Sequence, residues 1–529
     1  MRLQQLLDSI ADTLKARPTD DVEITSPVAE DNRDVKPGGV FVARKGPQFD
    51  AHDLIGAAVT QGAVAVIGER SPDQVVCSVP YAQVMDAQQA LGPLAAAYYG
   101  YPSRQLMVIG VTGTDGKTTT TNLIFNILKA AEFKIGMIST VSAVIGDKEL
   151  PTGLHVTTPS APDVQRYLRE MVDAGLTHCL LETTSHGLAQ GRVNGVDYDI
   201  AVITNITHEH LDFHGSFENY RAAKALLFKN VGSSFRKPGI SKIAVVNLDD
   251  ANAATFLAFP ADYHITYGLT LVSESQPNLV AQAAYGAQGT TIAIGFQGDS
   301  QAMPVGFAAA ETPFMVQTTM VGSFNVQNIL AASAVALALN CSPEAIRGGL
   351  ASMPPVPGRM ERIDEGQNFL AIVDFAHTPN ALRRALEAAH TIVGPDKRII
   401  CVFGSAGLRD REKRRLMAEI GAELADISIL TAEDPRTESL DAILQTMADG
   451  AISKGGIEDQ TFYCVPDRGA ALAFACKLAH PGDLVIACGK GHEQSMAFGT
   501  LEYPWDDRDA LRAALHGTPL RTLPTAQTL

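Results

Sequence analysis

A chain of 529 residues is longer than one hydrophobic core supports, so roughly two to four domains are expected. Its 46% hydrophobic and 19% charged content is that of a soluble globular protein. The formal net charge of −16 argues against nucleic acid or an anionic membrane as the main partner, but not against a phosphorylated small molecule held by a local basic cluster.

Met1 to Leu14 is amphipathic and lacks the apolar core of a signal peptide. From Met1 to about Arg104, apolar runs such as Val40-Phe41-Val42-Ala43 and Ala63-Val64-Ala65-Val66-Ile67 alternate with helical patterns, which predicts a small α/β domain. A buried strand, Leu106 to Val111, then leads through a glycine-rich turn into a helix with apolar positions Leu123, Ile124, Ile127 and Leu128. Further buried strands at Cys179-Leu180-Leu181, Ile200 to Ile203 and Ile243 to Val246 predict a parallel sheet covered on both faces. Leu269 to Gln317 reads as β-rich and hairpin-like, with turns at Gly286, Gly289 and Gly298, and a helix from about Asn325 to Leu339 closes the region.

Met353-Pro354-Pro355-Val356-Pro357-Gly358 is a stiff linker. Beyond it, strands at Leu370 to Val373, Arg398 to Phe403, Ile427 to Leu430 and Leu484 to Cys488 predict a third α/β unit, with a polar, frayed tail after His516. The seven cysteines (Cys77, Cys179, Cys341, Cys401, Cys464, Cys476, Cys488) are widely spaced, with no CxxC pair. They read as small hydrophobes in a reducing compartment, without zinc or disulfides. The longest apolar stretch, Ile329 to Leu339, is too short to cross a bilayer, so a cytoplasmic location without membrane insertion is expected.

The turn Thr112-Gly113-Thr114-Asp115-Gly116-Lys117-Thr118-Thr119 carries the clearest chemistry. Strand, glycine loop and helix-opening Lys-Thr suit a polyphosphate: the glycines admit the anion, N–H groups and the helix dipole bind it, Lys117 neutralises it and Thr118 can ligate Mg²⁺. The strict phosphate-loop pattern needs glycine where Val111 stands, so this is a variant loop. Downstream, Leu181-Glu182-Thr183-Thr184-Ser185-His186 ends a strand where a carboxylate can reach a metal. In Thr207-His208-Glu209-His210-Leu211-Asp212, Asp212 stands where a zinc protease would have its second histidine, which excludes that reading.

Taken together these segments resemble the Mur ligases over nearly the whole chain, and within that family the MurE type. The loop resembles the family's Gly-Thr-Asn-Gly-Lys-Thr, with Asp115 in the asparagine position. An acidic side chain beside phosphates should weaken binding unless it faces away or reaches magnesium through water.

The resemblance implies a three-domain α/β fold: a nucleotide-binding N-terminal domain (1–104), a central parallel-sheet P-loop-type ATPase domain (105–356) and a Rossmann-like C-terminal domain (357–529). It implies an ATP-dependent amide ligase of peptidoglycan precursor synthesis, monomeric. Such an enzyme joins a diamino acid to UDP-N-acetylmuramoyl-L-alanyl-D-glutamate through an acyl phosphate. Glu182, His210 and a carbamylated Lys224 in Phe217-Glu218-Asn219-Tyr220-Arg221-Ala222-Ala223-Lys224 would hold a second Mg²⁺.

Asp31-Asn32-Arg33 would contact uridine, and Thr157, Thr158, Ser185, Gln190 and Arg192 the muramoyl-dipeptide and its diphosphate. Asn325 and Asn328, in Phe324-Asn325-Val326-Gln327-Asn328, would flank adenine, with a helix N-cap as the plain role for Asn325. Arg359 and Asp374, in Gly358-Arg359-Met360-Glu361 and Asp374-Phe375-Ala376-His377-Thr378-Pro379, would reach ATP on closure. Gly407-Leu408-Arg409-Asp410, Glu433-Asp434-Pro435-Arg436 and Gly489-Lys490-Gly491-His492-Glu493 would take the amino acid.

Arg409 and Arg436 suit a distal carboxylate, whereas Asp434 suits a lone ammonium. Meso-diaminopimelate is therefore only slightly favoured over L-lysine or L-ornithine. A folylpolyglutamate synthase-like ligase shares the loop, and a P-loop ATPase switch is the alternative of another class.

Overall fold

The computed structural model describes residues 1–46, 49–150, 158–207, 209–269, 277–286, 289–299, 303–304, 307 and 313–527. Three sheets follow one another along the chain. The first has five strands, ordered Leu14–Ala16, Tyr81–Val84, Ala65–Gly68, Val40–Ala43, Val28–Ala29. Its helix Ala87–Tyr98 abuts the second unit so closely that a Cβ on Gly92 would lie 2.2 Å from the Asn194 carbonyl oxygen. Only glycine fits there.

The second sheet has eleven strands. Its interior is parallel, in the order Ile135–Ile138, His178–Glu182, Met107–Thr112, Ile200–Ile203, Ile243–Asn247, Tyr263–Gly268. The sheet is mixed rather than purely parallel, because both edges are hairpins. Ala143–Ile145 turns through Gly146 (φ +61) into Lys148–Leu150, too short a connection to join parallel neighbours. At the other edge Leu279–Gly286 pairs antiparallel with Gly289–Phe296, which pairs with Phe314–Thr318. The expected hairpins of that stretch thus extend the central sheet. Leu123, Ile124, Ile127 and Leu128 are fully buried on the helix Lys117–Ala130, and the alanine-rich helix Ser323–Ala338 is buried on almost every side.

The third sheet has six strands, ordered Glu361–Ile363, Leu370–Asp374, Leu484–Cys488, Ile399–Phe403, Ile427–Leu430, Phe462–Cys464, with a separate hairpin Ser495–Phe498 and Leu501–Pro504. The four apolar strands fall where expected. As far as residue 527 the tail is packed rather than frayed: Leu523 is buried, the Thr525 hydroxyl donates to Asp467 at 2.8 Å and the Thr522 hydroxyl to the Pro504 carbonyl at 3.2 Å. All seven cysteines are free thiols, four of them buried. Among the described residues no helix is long and apolar enough to cross a membrane.

Parallel pairing sets the site. The register places Glu182 beside Val111 and Ile203 beside Thr112, so the glycine loop, Glu182 and the residues after Ile203 emerge together at the carboxyl edge of the sheet.

Candidate active site

The glycine loop is built against the segment Thr204–Asn205. Gly113 (φ +149) passes so close that a Cβ would lie 1.8 Å from the Thr204 hydroxyl, and at Gly116 (φ +80) one would lie 2.4 Å from Asn328 Oδ1. Val111, by contrast, is a buried strand residue, which explains why the loop needs no glycine there. The Thr114 amide donates to the Asn205 carbonyl at 2.8 Å, and its hydroxyl lies 2.9 Å from the Tyr220 hydroxyl. Asp115 donates its amide to Asn205 Oδ1 (3.1 Å), and its carbonyl accepts from the Thr204 hydroxyl (2.6 Å) and Asn205 Nδ2 (3.0 Å).

Lys117 opens the helix and folds back onto the Thr114 carbonyl at 2.7 Å. No side chain caps this helix start, whose first residues Lys117, Thr118 and Thr119 border a cavity of about 620 Å³. Orphan helix N–H groups, a positive dipole end and a lysine together fit a polyphosphate.

The Thr118 hydroxyl donates to Glu182 Oε1 at 2.9 Å, while the Thr140 amide donates to Oε2 at 3.0 Å. A hydroxyl beside a buried carboxylate is a donor set for a hard divalent cation. Lys224 is buried, donates to the Gly113 carbonyl at 2.6 Å and lies 4.6 Å from the centre of the Tyr220 ring. Burial pushes its amine well below the ordinary lysine range, and the charge of Lys117 adds to this. An amine takes up carbon dioxide in its neutral form, and burial shifts Lys224 in that direction.

His210 adopts φ +53, and its ring packs edge-on against His186 at 4.6 Å. Burial lowers this imidazole to about 4. Glu209 stands 3.6 Å from His210 and 3.5 Å from His377. Burial alone would raise its carboxyl, but those two rings outweigh it and hold it below the usual range. Among the described residues no three His, Cys, Asp or Glu side chains converge to hold a metal, so Thr118 and a carbamylated Lys224 would have to complete the set.

The far wall of the cavity belongs to the third unit. Asp374 accepts from the amides of Met360 (2.6 Å) and Ala376 (2.8 Å), and burial raises its carboxyl. It thereby holds the turn that presents Arg359, whose guanidinium stacks 4.4 Å over Phe375 and whose buried Nε has no hydrogen-bond partner among the described residues. Asn325 and Asn328 line the same cavity. Asn325 is not the helix cap: Gly322 is, and Asn325 donates from the first turn back to the Val321 carbonyl at 2.8 Å. Asn328 accepts from the Thr120 hydroxyl at 3.2 Å, tying the two helices together.

A second cavity, of about 1160 Å³, contains Asp31, Asn32 and Arg33, with Arg33 paired to Asp31 at 2.6 Å. Nearby, Arg192 donates to the Thr158 carbonyl at 2.9 Å and senses Glu30 and Arg44, both of which line this cavity. The Thr158 hydroxyl donates to the Glu182 carbonyl at 3.2 Å. Ser185 is buried at the start of a short helix, and the Gln190 carbonyl accepts from Gln88 at 2.9 Å. Thr157 lies outside the described residues.

With this geometry in place, comparison with known proteins is decisive. Residues 111–336 match the Mur ligase middle domain, residues 358–491 the Mur ligase glutamate ligase domain, and residues 28–99 the catalytic domain of the Mur ligase family. The UDP-N-acetylmuramoyl-L-alanyl-D-glutamate–2,6-diaminopimelate ligase of Geobacillus thermodenitrificans is 41% identical over 487 residues, covering 92% of this chain and 94% of that protein. The chain belongs to the Mur ligase family.

It is an ATP-dependent ligase. The UDP-N-acetylmuramyl-tripeptide synthetase of Roseiflexus sp. is 39% identical, over 97% of this chain and 99% of that protein. A solved UDP-N-acetylmuramoyl-L-alanyl-D-glutamate–2,6-diaminopimelate ligase is 30% identical, with a TM-score of 0.61, over 94% of this chain and 97% of that one. MurF of Acinetobacter baumannii, 20% identical with a TM-score of 0.64 over 97% and 98%, shares the fold.

In this Mur ligase the three C-terminal segments are cross-braced. Asp434 (φ +41) is already paired: buried Lys490 donates to both its oxygens, at 2.9 and 3.1 Å, and also meets Glu493 at 2.6 Å. The expected ammonium partner of Asp434 is thus an internal lysine. Arg436 (φ +53) donates to the Gly407 carbonyl at 3.1 Å, which joins its segment to that of Arg409. Glu433 is buried with one carboxylate oxygen unpartnered among the described residues, and a Cβ on Gly489 would lie 2.2 Å from that oxygen. Burial raises the Glu433 carboxyl.

Thr140, Glu209, His377, Asn380 and Arg384 were not singled out as site residues in the sequence. All but Asn380 line the active cavity, and Asn380 reaches Asp115. Of these, Glu209 carries a local signal in its two flanking histidines, and His377 lies within the quoted segment Asp374-Phe375-Ala376-His377-Thr378-Pro379.

Proposed function

We propose that this Mur ligase adds a diamino acid to UDP-N-acetylmuramoyl-L-alanyl-D-glutamate in peptidoglycan precursor synthesis. The observation that carries the reading is one cavity shared by Lys117, Thr118, Glu182, Arg359 and Asp374, drawn from two sheets. Residues 1–104 would hold the uridine diphosphate, 105–356 ATP, and 357–529 the incoming amino acid. Relatives named as 2,6-diaminopimelate ligases favour diaminopimelate, in its meso form, and Arg409 and Arg436 suit its distal carboxylate. Glu433 would take part in holding the amino acid.

In the reaction, an oxygen of the D-glutamate γ-carboxylate attacks the γ-phosphorus and ADP leaves, giving an acyl phosphate. The free amine then attacks the acyl carbon, and inorganic phosphate departs from the tetrahedral intermediate. Lys117 and Arg359 neutralise phosphate charge, and the loop amides orient the transferred group. Thr118, Glu182, His210 and a carbamylated Lys224 would hold Mg²⁺, which when bound neutralises phosphate oxygens. The enzyme is expected to be a cytoplasmic monomer, needing no nucleic acid and no membrane insertion.

The test is phosphate release with ATP, Mg²⁺, the UDP-muramoyl-dipeptide and a panel of amino acids. Release that requires both the dipeptide and a diamino acid is expected. Dependence on the dipeptide with no response to any diamino acid overturns the assignment, and steady release without any amino acid favours an ATPase switch.

A further inference from the structure

Two contacts cross the active cavity from a single turn of the C-terminal unit. Asn380 Nδ2 donates to Asp115 Oδ2 at 3.0 Å, and His377 Nε2 stands 3.5 Å from Glu209 Oε1. Asn380 is the second residue of the helix Pro379–Val393, whose start is fixed by the Thr378 side chain accepting from the Ala381 amide. His377 is fixed as well, its Nδ1 lying 2.8 Å from the Phe375 carbonyl.

On the other side, every backbone polar atom of Asp115 is engaged with Thr204 and Asn205. Its carboxylate is therefore the part of the loop left to face the third unit. This resolves the oddity of an acid in a phosphate loop, where a second negative charge next to phosphates is unfavourable. Turned onto an amide donor, the carboxylate has a partner.

We infer that Asp115 and Asn380 are a positioning pair that joins the phosphate loop to the C-terminal unit, with Glu209 and His377 alongside, and so sets Arg359 and the amino-acid segments over the loop. The same turn begins at Asp374, which holds the backbone of Met360, so a shift of this turn moves Arg359 with it. The role inferred for the pair is positioning. It governs how often the assembled site forms, not the chemistry within it.

The inference rests on the ligase reading only for its activity readout. Asn380→Asp in the full-length enzyme sets two carboxylates against each other, and an acid at the second position of a helix suits the dipole, so the fold should hold. Turnover should fall by about tenfold or more, as expected when a charged group loses its hydrogen-bond donor. Asp115→Asn combined with Asn380→Asp exchanges donor and acceptor, and should recover most of the loss.

Small-angle scattering with a non-hydrolysable ATP analogue should show a more open particle for Asn380→Asp than for the double variant. Wild-type turnover by Asn380→Asp, or a double variant no better than the single one, overturns the inference. A wild-type enzyme that ligates nothing overturns the functional reading alone, and scattering then decides the pair.

Discussion

The Lys224 amine donates to the Gly113 carbonyl at 2.6 Å, so the lysine expected to carry a carbamate lies directly beneath the first glycine of the phosphate loop. A charged ammonium buried there would be costly, and the structure relieves the cost by depressing its pKa. Carbamylation would then turn this lysine into an oxygen ligand beneath the loop.

Replacing Lys224 by Ala should lower turnover by at least about a hundredfold, the scale on which loss of electrostatic transition-state stabilisation is felt. Acetate or formate should restore part of it by supplying the missing carboxylate. Full activity without any added acid would sink the carbamate assignment. Thermal melting, followed in parallel, separates this from simple misfolding.

Gly116→Ala should impair nucleotide binding more than folding. The backbone sits at φ +80, which costs a non-glycine residue about 1–2 kcal/mol, and the new Cβ would meet Asn328 Oδ1 at 2.4 Å. Displacing Asn328 also releases Thr120, which bonds to it from the loop helix. An ATP affinity at least about tenfold weaker, read by calorimetry, corresponds to the lower end of that cost plus the lost contact. Unchanged affinity would show that the loop does not hold the nucleotide.

Stability should decline as the solution is acidified from about pH 6.5 toward 4. Burial lowers His178 and His210 to about 4 and His492 to about 3. In the unfolded chain such rings take up a proton near pH 6.5. Between these values the unfolded state binds more protons, so the folded state loses ground as pH falls. Urea midpoints across this range should drop, and His492→Gln should flatten part of the slope. A flat profile in the wild type would contradict the depressed histidines.

Legibility followed the range of the interactions. Runs such as Ile399–Phe403 and Leu484–Cys488 announce themselves because a strand buried on both faces is apolar throughout. Glu361–Ile363 and Phe462–Cys464 have three residues each, too few to show a period, and went unseen. The glycine loop was legible because its chemistry lies within one turn. Asp434 was not, since its partner Lys490 is 56 positions away, and nothing in Glu433-Asp434-Pro435-Arg436 shows that the acid is already matched. Asp115 and Asn380, 265 positions apart, meet only through the packing of one unit on another.

Asp199 offers the sharpest test of what anchors the loop. It is fully buried, accepts from Lys242 at 3.0 Å and from Lys237, and takes the Val108 amide at 2.9 Å. That amide belongs to Met107–Thr112, the strand that delivers the glycine loop. Asp199→Asn keeps the shape but leaves two buried lysines without their counter-charge, and breaking such a network by one partner costs about 3–5 kcal/mol. Lys242→Met, by contrast, leaves Asp199 still paired with Lys237 and should cost less than half as much. Urea denaturation of both variants measures the difference. Equal losses would mean that losing one lysine costs as much as losing the whole counter-charge, and would overturn the charge-balance account of Asp199.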